Sequence, residues 1–191
     1  MGISKLIKTL TASDSASLSF VDGAASVVLD STYDEYMFVC TDIGPDTDEG
    51  SGANFMFQVN ATDDAGGGYD TSPITSTMIR AYQNENDGGA ALAYDGGNDQ
   101  AQGTAFQRLA SAVGNDADKS TAGILHLFSP SSTTYVKHFY STFHVAHVSA
   151  NGVAAIEYVA GYINDTTAID EIQFKMSGGN FDGVIQLYGI S

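Results

Sequence analysis

Large apolar residues recur at every second position along much of this chain. Tyr36, Phe38 and Cys40 alternate with Met37, Val39 and Thr41, and Phe55, Phe57 and Val59 alternate with Met56, Gln58 and Asn60. Leu125 and Leu127 share one face of AGILHLFSP, opposite Ile124, His126 and Phe128. Phe139, Phe143 and Val145 share a side of the long run TYVKHFYSTFHVAHV. Ile172, Phe174 and Met176 face inward against Glu171, Gln173 and Lys175, and Ile185 pairs with Leu187 near the end of the chain. A period of two over so many segments predicts half-buried antiparallel strands. Clusters such as VDGAAS, GPDTDEGSG, DDAGGGYD, YDGGND and SGGNFDG separate them. Gly supplies positive φ there, and Asp and Asn tolerate it, so these clusters are turns. The expected fold is all-β: one antiparallel β-sandwich of jelly-roll type with at most one or two short helices. Residues 101–113, AQGTAFQRLASAV, are the best helix candidate and also fit a strand. No linker, repeat or low-complexity tract divides the chain, so residues 1–191 are expected to form a single domain.

The N-terminus departs from this period. Ile3, Leu6, Ile7 and Leu10 follow helical spacing, although an isolated helix this short is marginal in water. Residues 1–13 therefore read either as a strand at a sheet edge or as an arm that orders against a partner through those four side chains. Charge adds to the contrast. Residues 1–13 carry +2 from Lys5 and Lys8, and residues 14–191 carry −18 from five bases and 23 acids. The N-terminus is the segment whose field attracts an acidic partner.

Composition narrows the partners. The 191 residues have a formal net charge of −16, and the seven bases are scattered. Without a basic face to neutralise phosphates, nucleic acid is not an expected partner, and neither is an anionic membrane. A strongly acidic surface keeps a protein soluble and suits high ionic strength, which screens its self-repulsion. Cys40, the single cysteine, lies inside an apolar run and reads as a small buried hydrophobe. MGISKLIKTL lacks an apolar signal core, and its sixth residue, Leu6, does not fit a myristoylation signal, so synthesis in the cytoplasm is expected.

Candidate chemistry is sparse. Asp42, Asp46, Asp48 and Glu49 crowd DIGPDTDEG, and Asp63, Asp64 and Asp70 crowd ATDDAGGGYD. Hard cations want several oxygens from a flexible loop. Asp46, Asp48 and Glu49 are thus the weak calcium candidates, against the plainer expectation of solvated acidic turns. Among the histidines, a strand places His138 and His144 on one face and His147 on the other. His126 is distant in sequence, so zinc ligation would need long-range convergence. No nucleophile elbow or phosphate-binding loop is present. Carboxylates for glycoside hydrolysis abound only as they must in so acidic a chain. Trp is absent, although ten tyrosines could stack on sugars. Neither a catalytic residue nor a cofactor is expected.

STYDEYMFVCTDI (31–43), LFSPSSTTYVKHFYSTF (127–143) and AGYINDTTAIDEIQFKMSGGNFDGVIQLYGIS (160–191) resemble virion structural proteins of marine tailed bacteriophages. SKLIKTLTASDSASLSF and ALAYDGGNDQAQGTAFQRLASAVGNDAD fit the same pattern. The resemblance implies a non-enzymatic particle component located on the virion. It would be a capsid decoration or cement protein, with a tail or fibre accessory of carbohydrate-binding, host-adsorption role as the alternative. It further implies a homo-oligomer, a trimer by analogy, contacting the major capsid protein or tail proteins. Tyr69, Tyr82, Tyr94, Tyr162 and Phe181, beside predicted turns, are the candidate contact aromatics.

Overall fold

The computed structural model describes residues 3–46, 52–63, 69, 72–149 and 152–191. Every regular element among them is a strand. The first seven are β1 (Ser4–Ser15), β2 (Leu18–Val21), β3 (Glu35–Pro45), β4 (Ala53–Ala61), β5 (Ile74–Asn84), β6 (Ala90–Tyr94) and β7 (Ala101–Gly103). Then come β8 (Gln107–Val113), β9 (Thr121–Phe128), β10 (Lys137–His147), β11 (Val153–Ile163), β12 (Ile169–Met176) and β13 (Phe181–Ile190). All pairings are antiparallel.

The strands form two layers. The long layer runs β1-β13-β3-β9-β10-β11-β5, with β6 and β7 both on the far side of β5. The short layer runs β8-β4-β12-β2 and joins the long one where His147 of β10 meets Val113 of β8. Without β5, β6, β7, β10 and β11, the remaining eight strands run 1-8-3-6 and 2-7-4-5 in chain order, consistent with a jelly roll. The five other strands are two insertions that meet along β11–β5 and widen the long layer.

Phenylalanines close the space between the layers. Phe20 meets Phe38 with ring centroids 5.4 Å apart, Phe57 meets Phe139 at 5.1 Å, and Phe55 lies against Phe143, Phe174 and Phe181. The inward positions expected from the alternation are buried, from Tyr36, Phe38 and Cys40 through Ile185 and Leu187. Cross-strand packing requires glycine at two inward positions. A Cβ on Gly123 would lie 2.4 Å from the Thr142 carbonyl oxygen and 2.5 Å from the Phe143 ring. One on Gly161 would lie 2.4 Å from the Thr75 carbonyl oxygen and 2.9 Å from the Phe139 ring. Each phenylalanine covers the glycine directly opposite on the neighbouring strand.

One helix candidate is corrected, and of the two readings of the N-terminus the edge strand is the one found. Residues 101–113 contain β7 and β8, because Gln107, Leu109, Ala110, Ser111 and Val113 are buried against the interior and Ala112 (φ 47°) takes up an irregularity in the pairing with β4. At the N-terminus the helical stripe does not form. Residues 4–15 are edge strand β1, paired along β13. An isolated helix this short is marginal in water, whereas pairing along β13 gives the extended segment a partner over most of its length. A register shift between Leu6 and Lys8 separates the four apolar side chains. Ile7 and Leu10 pack against the core, whereas Leu6 (48% exposed) and Ile3 (82%) remain outside. The four therefore do not make one partner-binding stripe.

Candidate interaction surface

The outer face of the long layer is apolar as well as the inner one. Register places Tyr94, Ile79, Tyr158, Thr142, Ile124 and Val39 in one row across β6, β5, β11, β10, β9 and β3. The next row toward one end is Leu92, Ala81, Ile156, His144 and Ala122. The next toward the other end is Ala160, Tyr140, His126, Met37, Tyr188 and Leu6, reaching β1. Eight large apolar side chains are exposed among the described residues: Ile3, Leu6, Ile79, Leu92, Tyr94, Tyr135, Tyr140 and Tyr158. All but Ile3 and Tyr135 stand on this face. Single exposed apolar residues are ordinary, but a contiguous set marks an interaction site.

Charge divides the molecule in the same way. On the outward positions of β5, β6, β9, β10 and β11, and of β3 before its bulge at Asp42, Glu35 is the one carboxylate, and no lysine or arginine occurs. Glu35 is itself paired with Nδ1 of His126, whose ring stacks on Tyr140 with centroids 4.4 Å apart. Three shallow depressions, of about 330, 290 and 380 Å³, adjoin one another around His144; Ala81, Ala122, Ala146 and Ala154 are among the residues that line them, and Glu85 borders the first. Proud tyrosine, leucine and isoleucine side chains thus alternate with hollows above alanines.

The acidic candidates collect elsewhere. Asp46 donates its backbone N–H to the Asn180 carbonyl at 2.9 Å. Asp14 and, to a lesser degree, Asp182 lie close enough to hold its carboxyl above the usual carboxylate range. Asp42, Asp46 and Asp182 border an open depression of about 570 Å³, together with Asp116, Asp118 and Lys119. Lys119 is engaged by Asp116 at 2.6 Å. Asp48, Glu49, Asp64 and Asp70 lie outside the described residues. Among the described residues no three of His, Cys, Asp and Glu come together so as to hold a metal ion. His126, His138 and His144 stand on the outer face in separate rows, and His147 points to the other side, beside Arg80 and Tyr82. Cys40 is buried, and burial pushes its thiol far up.

The contact aromatics divide. Tyr94 and Tyr162 occupy outward positions of the long layer. Tyr82 packs partly against the core, Tyr69 donates to Ser19 Oγ at 2.5 Å, and Phe181 is fully buried and cannot reach a partner. Tyr140 and Tyr158 were not among the expected contacts, although both lie out of phase with the inward Phe139, Phe143 and Val159.

Among the described residues, one lysine and one glutamate are buried in the interior, Lys137 and Glu157. Lys137 Nζ donates to the carbonyl of Thr167 and, at 3.2 Å, to that of Asp165. Glu157 accepts the Ser111 N–H at 2.7 Å and the Ser111 hydroxyl, tying β11 to β8. The period-two phase signals both, since Lys137 falls in step with Phe139 and Glu157 with Val159. Their partners are groups of the protein itself, so they serve the fold.

No family model, no curated protein and no solved structure matches the chain.

Proposed function

We propose that this chain is a non-enzymatic virion structural protein, a capsid decoration subunit that attaches to an assembled particle. The observation that carries the proposal is the division of its surface. A broad, largely apolar face whose strands contribute a single carboxylate sits on a molecule whose carboxylates otherwise crowd its turns and ends. Surfaces of that kind are kept for protein contact, because water stabilises neither the aliphatic nor the aromatic groups on them. The acidic remainder is suited to facing salt water. The resemblance of residues 31–43, 127–143 and 160–191 to phage virion proteins supplies the particle as the setting. Aliphatic side chains such as Ile79, Leu92 and Ile156 favour protein over sugar on this face, since they offer sugar hydroxyls no hydrogen bond.

Labelling of purified particles with an antibody against the protein, viewed by electron microscopy, tests the proposal. Label distributed over the capsid is the expected result. Label confined to the tail, with glycan binding by the isolated protein, would replace decoration by host adsorption. Absence of the protein from particles would refute a virion role.

A further inference from the structure

Building on the reading of this face as a protein contact, we infer that what covers it is a second copy of the same chain. The first support is charge. A chain of net charge −16 repels its copies almost wherever they approach. The outward strand positions of β3, β9, β10, β11, β5 and β6 carry one carboxylate, Glu35, hydrogen-bonded with His126, and two more stand at the rim: Glu85 beside one depression and Asp99 accepting from Tyr94. Apposing the centre of this face, around Ile79, Tyr158 and Ile156, brings two copies together with far fewer carboxylates between them than the acidic turns would.

The second support is shape. A self-complementary interface needs projections and hollows on the same patch, because each copy supplies both. Ile79, Leu92 and Tyr158 project, at 43%, 74% and 48% exposure. The depressions above Ala81, Ala122 and Ala154 adjoin them on the same strands.

The third support is size. With strands about 4.8 Å apart and alternate residues about 6.8 Å apart, six strands and five rows cover roughly 700 Å², close to the ~800 Å² per partner of a standard stable interface.

The test is sedimentation equilibrium of the full chain at micromolar concentration, comparing the wild type with Ile79→Glu, Tyr158→Glu and the control Tyr135→Glu. Tyr135 is 74% exposed but lies in the connection between β9 and β10, off the face. We expect wild type and control above the monomer mass. Each face variant should weaken association by roughly 30-fold or more, the effect of losing one interface hot spot, with an unchanged melting transition. A milder pair, Ile79→Cys and Tyr158→Cys, covers the case in which a glutamate disturbs folding. A bismaleimide should link copies through these positions and not through buried Cys40. A wild type at monomer mass, face variants that assemble like wild type, or no cross-linking at either cysteine would each overturn the inference. A monomer that still labels the capsid would leave the virion role standing and give the face to another virion protein.

Discussion

Glu157 occupies an inward position of β11, directly across from Arg80 on β5, and both of its oxygens are used by Ser111. Burial is the main reason its carboxyl is held above the usual range, with the Ser111 hydrogen bonds and Arg80 opposing. A folded-state value above the unfolded one means that the native protein binds the proton more tightly. This group's contribution to stability therefore falls as pH rises from the ordinary carboxylate range through the folded value. Glu157→Ala leaves the Ser111 N–H without its acceptor and is expected to cost about 1–3 kcal/mol by denaturant unfolding. Glu157→Gln keeps an amide oxygen for that N–H and removes the titration. Its stability relative to wild type should improve from mild acid to neutral pH, and a parallel pair of pH profiles would count against this account. Ser141 shows the converse case. Its hydroxyl is buried among Leu125, Phe139 and Val159 and finds no partner among the described residues. Ser141→Ala should leave stability unchanged or raise it by about 1 kcal/mol, because a desolvated, unpaired hydroxyl is removed.

At the scale of elements, β1 takes the edge-strand reading of the N-terminus in spite of its helical spacing. Helical spacing of Ile3, Leu6, Ile7 and Leu10 coexists with an edge strand because a register shift after Leu6 moves Ile7 and Leu10 onto the core side. Deleting residues 1–13 removes those two side chains and buried Ala12, and it bares the β13 edge. The expected loss is roughly 2–4 kcal/mol of stability, with aggregation through the exposed edge, both seen in thermal melts followed by light scattering. A truncated protein that melts like wild type would make β1 a dispensable arm. Gly161→Ala tests the widened layer in the same way. Its Cβ meets the Thr75 carbonyl and the Phe139 ring, so β5 and β11 must shift, at a cost of about 1–3 kcal/mol. Inward positions such as Phe38, Phe57, Leu125 and Phe174 were legible in the sequence because burial on one face imposes a period of two. The outer face was less so. Ile79, Ile156 and Tyr158 continue apolar runs whose second face looks the same as the first until pairing shows which strands share it. AQGTAFQRLASAV misled because consecutive burial at Leu109, Ala110 and Ser111, beside the irregularity at Ala112, breaks the alternation.

For the molecule as a whole, charge sets its response to salt. Few ion pairs offset the −16: Lys119 with Asp116 and Arg80 at 4.0 Å from Asp95 are those that lysine and arginine make among the described residues. Like charges meet instead at one end, where Asp14 and Asp182 hold the Asp46 carboxyl up. A carboxyl raised by its neighbours destabilises the folded state while ionised and ceases to do so as pH falls through its folded value. Screening achieves the same relief at neutral pH. The melting temperature should therefore rise with added NaCl, and Asp46→Asn should raise it at low salt with the gain fading at high salt. Calcium separates screening from binding. If the acidic turns are solvated, CaCl2 and NaCl at matched ionic strength should give the same melting temperature, and EDTA in high salt should leave it unchanged. A fall with EDTA that calcium, and not sodium, reverses would turn the end around Asp46 into a cation site, since a bound ion stabilises only the state that holds it. The same salt series bears on assembly. A largely apolar interface between acidic bodies should tighten as their repulsion is screened, whereas one built on ion pairs should loosen. Association that weakens steadily with NaCl would therefore move the contact off the Tyr158 face and onto charged surface.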